Sequence, residues 1–123
     1  MGANGSFALG TTNTEEGRHW KTVGSIGDNI KILQMKNPKA SLKLPEESHT
    51  PNRVYAIFKK NGSDVKCIAK YGPDGKKIWE IHTDDHKGIK PHFHYWKNNG
   101  QEKSAHSLTP DMLELLNKVR NFK

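Results

Sequence analysis

From residue 53 onward, apolar positions fall in short runs separated by turn residues, the rhythm of an antiparallel meander. Residues 53–60 hold Val54, Tyr55, Ile57 and Phe58 and predict a strand. Asn61-Gly62 follows as a hairpin turn, because both residues tolerate positive φ. Residues 64–71 predict a second strand, Gly72-Pro73-Asp74-Gly75 a turn, residues 76–82 a third strand and residues 91–96 a fourth. Upstream, residues 29–35 are β-rich and predict an earlier strand, while Pro38, Pro45 and Pro51 mark residues 37–52 as an irregular loop. The chain ends in a predicted helix: Thr109 suits an N-cap, Pro110 the first helical position and Asp111 the positive helix end. Met112, Leu115, Leu116 and Val119 then recur at helical spacing, a stripe for packing against the sheet. The expected fold is α+β: an antiparallel β-meander of four to five strands with a packed C-terminal helix. Residues 20–123 form its single domain, and residues 1–19, rich in Gly, Asn, Thr and Ser, form a flexible arm.

Alternation sorts the third and fourth strands into faces. Trp79, Ile81, Phe93 and Tyr95 are expected to turn inward, and Glu80, His82, His92 and His94 to meet on the opposite, polar face if the two strands pair. Residues 83–90 are long for a hairpin connection, so the register is not set by the turn. Asp84, Asp85, His86 and Lys87 lie on that loop. Four of the seven histidines fall between Ile78 and Trp96, and histidine serves both as acid–base group and as metal ligand.

Composition narrows the partners. Hydrophobic residues are 33% of the chain, which allows only a small core, with large aromatic rings making up part of the deficit. A formal net charge of +7 favours a polyanionic partner. Cys67 stands alone, so there is neither an intramolecular disulfide nor a Cys-based zinc site, and a buried structural thiol is expected. No apolar run has the length of a membrane span, and the first residues lack a signal-peptide pattern. A cytoplasmic location and no membrane partner are therefore expected.

The leading chemical reading is cleavage of RNA without a metal or other cofactor. A base removes the ribose 2′-hydroxyl proton, an acid protonates the leaving oxygen, and a cation stabilises the phosphorane. Glu80 or one histidine supplies the base and a second of His82, His92 and His94 the acid; Arg53, Lys87 or Lys90 holds the phosphate; Tyr95 and Trp96 stack on bases. A second reading is a non-enzymatic, phage-type inhibitor that occupies a nucleic-acid enzyme or defence complex. A third is a metal-dependent enzyme, because His92-x-His94 places two imidazoles on one strand face. His19, His49 and His106 are expected to be ordinary satisfied polar residues.

The run Asp74-Gly75-Lys76-Lys77-Ile78-Trp79-Glu80-Ile81-His82-Thr83-Asp84-Asp85-His86, followed by Pro91-His92-Phe93-His94, resembles the C-terminal nuclease domains of bacterial polymorphic toxins and phage-associated proteins, the barnase, EndoU, colicin and RelE-like group. The resemblance spans roughly residues 50–96; that group has a small helical N-terminal part, and the N-terminal region here shows no strong amphipathic helix pattern. It implies a toxin-type ribonuclease with roles for Glu80, His82, His92 and His94 on the sheet face, and an acidic immunity or antitoxin protein as partner.

Overall fold

The computed structural model describes residues 19–97 and 100–122. The arm expected over residues 1–19 lies, apart from His19, outside them. Among the described residues eight strands form one sheet: β1 (Trp20–Ile26), β2 (Ile30–Met35), β3 (Val54–Phe58), β4 (Val65–Tyr71), β5 (Lys77–His82), β6 (His92–Lys97), β7 (Gly100–Gln101) and β8 (His106–Ser107). Helix α1 (Pro110–Arg120) follows. The α+β class holds, but the sheet exceeds the four to five strands expected. The extra strands are β1 and the two-residue β7 and β8. β1 carries Lys21, Thr22, Gly24 and Ser25 and so lacks a clean apolar alternation, and two-residue strands are too short to show a period at all.

Strands run in the order β1-β2-β3-β4-β5-β6-β7, with β8 also pairing β6. All neighbours are antiparallel except β2 and β3, which pair in parallel from Ile30↔Val54 to Leu33↔Ile57. The expected meander is thus broken at one place. Parallel neighbours cannot be joined by a tight turn, and the chain must cross a face of the sheet. Residues 36–53 make that crossing, and their prolines keep them out of regular pairing.

Each face has its own core. Under the crossover lie Trp20, Leu33, Met35, Leu44, Tyr55, Ile57, Cys67, Ala69 and Tyr71. The crossover is pinned there by side chains that would otherwise bury unpaired polar atoms: Trp20 Nε1 donates to Lys43 O at 2.9 Å, and the Tyr71 hydroxyl donates to Pro45 O. Ser48 N donates to Gly75 O at 2.7 Å. Gly75 has φ +82° and faces the Ser48 carbonyl so closely that a Cβ has no room. Cys67 is 3% exposed, as expected of a structural thiol.

On the opposite face Ile32, Val54, Ala56, Val65, Ile68, Ile81 and Phe93 meet Met112, Leu116 and Val119 of α1. Thr109 caps the helix, its hydroxyl accepting from Met112 N at 3.2 Å. Arg120 at the other end makes two hydrogen bonds to the Asp64 carboxylate, 2.8 and 3.0 Å long.

Leu116 is fully buried between helix and sheet. Leu116→Ala is expected to lower unfolding stability by about 3 kcal/mol, and Thr109→Ala by about 1 kcal/mol, in urea denaturation followed by circular dichroism.

Candidate functional site

The register of β5 and β6 builds the site. Glu80 faces His94, and His82 faces His92. On the other side of β5, Glu80 faces Ala69 and His82 faces Cys67. Directly opposed residues project to the same side of a sheet. Glu80, His82, His92 and His94 therefore share the face covered by the crossover, and the strand pairing on which this juxtaposition depends is present.

The connecting loop adds a residue that sequence reasoning left at the rim. Lys87 and Gly88 have φ of 52° and 90°. They close a two-residue turn in which His86 N donates to Ile89 O at 3.1 Å and Ile89 N to His86 O at 3.0 Å. Positive φ at both central residues matches the twist of the flanking chain. Asp85 supports the turn by accepting from Gly88 N at 3.2 Å. Thr83 Oγ1 anchors the start of the loop to Val65 O at 2.7 Å. His86 is thereby folded back onto the sheet, its ring 5.3 Å from His92 and 5.2 Å from His94. The His92 and His94 rings are 4.9 Å apart, and His82 stacks on His92 at 5.3 Å with an interplanar angle of 10°. A ring nitrogen from each of His86, His92 and His94 lies within 4.8 Å of the other two. The Lys87-Gly88 pair was the available signal, since it marks a tight turn inside a loop otherwise too long for one.

Hydrogen bonding fixes the protonation of two rings. His92 Nδ1 is 2.8 Å from Asp84 O, and His94 Nδ1 is 2.7 Å from Ser104 O. A carbonyl only accepts, so Nδ1 carries the proton in both, and in the neutral ring Nε2 carries the lone pair. Burial lowers the pKa of His92; the Asp84 carbonyl pulls it back up, and the neighbouring His82 and His94 push it down, leaving it below its ordinary value.

The polar face is not wet. Glu80, His92 and His94 are 6%, 4% and 3% exposed. The crossover and the chain around Ser104 cover what was expected to be an open face. Lys77 is the counter-ion the sequence analysis missed: its ammonium is 3.2 Å from Glu80 Oε2 and 4.0 Å from the centre of the Trp96 ring. His82 Nε2 is 3.1 Å from the other Glu80 oxygen, without the alignment of a hydrogen bond. Burial pushes the Glu80 carboxyl up, but His82 and Lys77 outweigh it and hold the group below the usual carboxylate range.

Glu80 and His82 also line a cleft of about 720 Å³ whose other walls include Trp20, Lys66, Lys77, Trp96 and the crossover from Leu42 to His49. Of the expected binding residues only Trp96 lines it. Tyr95 is on the opposite face, opposed to Trp79 and 42% exposed, because the same alternation that gathers the histidines turns it away. Arg53 is 6% exposed, buried at the start of β3, and its Nε and one terminal nitrogen have no partner among the described residues. Lys87 and Lys90 are exposed on the loop, outside the cleft walls. The expected inward set is also corrected in part: Ile81 and Phe93 are buried, but Trp79 is only half-buried. Of the three histidines expected to be ordinary, His106 is satisfied by Glu102 at 2.9 Å.

The Glu80 carboxyl is depressed in the folded chain, so its contribution is present above the ordinary carboxyl pKa and lost as pH falls through the lower folded value. Urea unfolding between pH 6 and pH 3 is expected to show that acid loss, and Glu80→Gln to flatten it. Lys77→Ala, which leaves Glu80 buried without its ammonium, is expected to cost about 3 kcal/mol at neutral pH. Compared with protein-family models, curated proteins and solved structures, the chain matches none of them.

Proposed function

We propose that the protein is a metal-dependent hydrolase whose centre is a divalent transition-metal ion held by His86, His92 and His94. The convergence of these three rings, with Nδ1 of His92 and His94 committed to carbonyls, carries the reading. A histidine that ligates through one ring nitrogen characteristically donates the other to a carbonyl or carboxylate, which fixes the tautomer and aims the lone pair. Tetrahedral coordination with bonds of about 2.0 to 2.1 Å sets ligand nitrogens roughly 3.3 Å apart. The three ring nitrogens, within 4.8 Å of one another, would have to draw closer to hold an ion. All-histidine ligation suits zinc and its first-row neighbours rather than calcium or magnesium.

Two observations favour this over metal-free acid–base cleavage by the same residues. His92 and His94 are almost fully buried, a poor position for a group that must meet a ribose hydroxyl and a good one for a ligand. Burial lowers the pKa of His92, which favours the neutral form that binds metal. Three protein ligands would leave a fourth position for water, as in catalytic rather than structural sites, and His82, stacked on His92, connects the set to the cleft wall.

An ion held by His86, His92 and His94 would supply a Lewis acid and would lower the pKa of a water. Hydrolysis would join the water oxygen to an electrophilic phosphorus or carbon, break the bond to the leaving atom and pass the water's proton to the leaving group. His82 lines the cleft, is half-buried and stacks on His92 at 5.3 Å, which puts an imidazole beside the ligand set to carry that proton.

Protein dialysed against Zn²⁺ or Co²⁺ and then freed of excess metal is expected to retain about one ion per chain by elemental analysis. His86→Ala, His92→Ala and His94→Ala are each expected to weaken retention at least about 100-fold, while Tyr95→Ala keeps it. A chelator is expected to abolish hydrolysis. Native, folded protein that retains no ion from Zn²⁺, Co²⁺ or Mn²⁺ overturns the reading.

A further inference from the structure

The cleft at Glu80 and His82 does not end at its own walls. Leu42 and Lys66 line it and also line a second depression of about 370 Å³. That depression shares Leu42, Lys59 and Lys60 with a third, of about 450 Å³. The three share Leu42, on the crossover, and the two that Lys59 and Lys60 line form a groove beside the end of β3.

Its chemistry changes along the way. At the histidine end, lysines stand opposite carboxylates: Lys77 is neutralised by Glu80, and Glu46 and Glu47 flank the wall. Past Leu42 the charged wall residues among the described ones are Lys59, Lys60 and Lys66, with no described carboxylate. The floor there is apolar, formed by Leu33, Met35, Leu42 and Ile57 among others. A cationic rim over an apolar floor fits a chain that alternates charged linkages with flat, weakly polar groups.

We propose that this groove binds single-stranded nucleic acid, with phosphates on Lys59, Lys60 and Lys66 and bases on the apolar floor, and that a strand so held brings a phosphodiester into the cleft lined by Lys66, Glu80 and His82, whose ring stacks on His92 of the proposed centre. The delivery step rests on the metal-hydrolase reading; the binding does not. Single-strand binders pair a positively charged groove with surfaces that accept bases of any sequence. An acidic polypeptide would use the lysines and leave the apolar floor bare. The formal net charge of +7 adds long-range attraction for either.

The test uses the full chain, stripped of metal, and a fluorescent 20-nucleotide oligouridylate, with binding read by anisotropy over a range of salt. Neutralising one phosphate contact removes roughly 0.7 from the slope of log K against log salt for a single strand. Lys59→Gln/Lys60→Gln/Lys66→Gln is expected to weaken binding at least about 10-fold at low salt and to flatten the slope by about 2. Lys21→Gln/Lys103→Gln/Lys118→Gln, with the same loss of charge elsewhere, should leave the slope near that of the native protein. The exposed Lys60→Gln alone gives a reduction of about 0.7 in slope without disturbing half-buried groups. Equal effects of the two triple variants overturn the groove and leave only unspecific attraction. Native protein that binds polyglutamate but no oligonucleotide overturns it in favour of an acidic polypeptide. Metal retention is measured on the same samples: an intact groove without metal sinks the hydrolase reading alone, and metal without oligonucleotide binding sinks the groove alone.

Discussion

The pairing of Glu80 with His94 and of His82 with His92 is the constraint from which the rest of the site follows. Because side chains alternate with a period of two, a one-residue slip would scatter the histidines and push Ile81 and Phe93 out of the helix-side core. The register is thus held from behind. Ile81 and Phe93 are buried under α1, and their apolar burial fixes which residues stand on the far side. The helix packs on the face away from Glu80, His82, His92 and His94, yet its packing decides where they stand.

The second constraint is the parallel pairing of β2 with β3. It obliges residues 36–53 to cross the sheet, and the face they cross carries the polar cluster. The crossover has two effects. It excludes water from Glu80, so that Lys77 becomes its necessary partner, and it supplies the wall of the cleft. An antiparallel meander throughout would have left the same residues on an open surface, where an ion pair contributes little.

Much of this was legible in the chain. The core strands, the Asn61-Gly62 turn, the helix with its Thr109 cap and the shared face of Glu80, His82, His92 and His94 all follow from local periodicity and turn chemistry, which act over a few residues. The rest depends on contacts between distant residues. Lys77 reads as one more surface lysine until the crossover buries it. Arg53 looks like a phosphate ligand by type and is buried by its place at the start of a central strand. Tyr95 has the right ring and the wrong parity. The burial of the histidines was missed for the same reason, since a loop with three prolines gives no periodic sign of which face it will cover.

All three proposed ligands, and the Asp84 carbonyl that orients one of them, come from one strand–loop–strand unit between residues 82 and 94. Contacts of such short sequence separation form quickly and lose little loop entropy on closing. The hairpin can therefore bring its imidazoles together before the crossover or the helix is in place. The ligand set is in that sense a local structural unit, portable to any sheet edge that offers β6 a neighbour like β8 and His94 a carbonyl like that of Ser104.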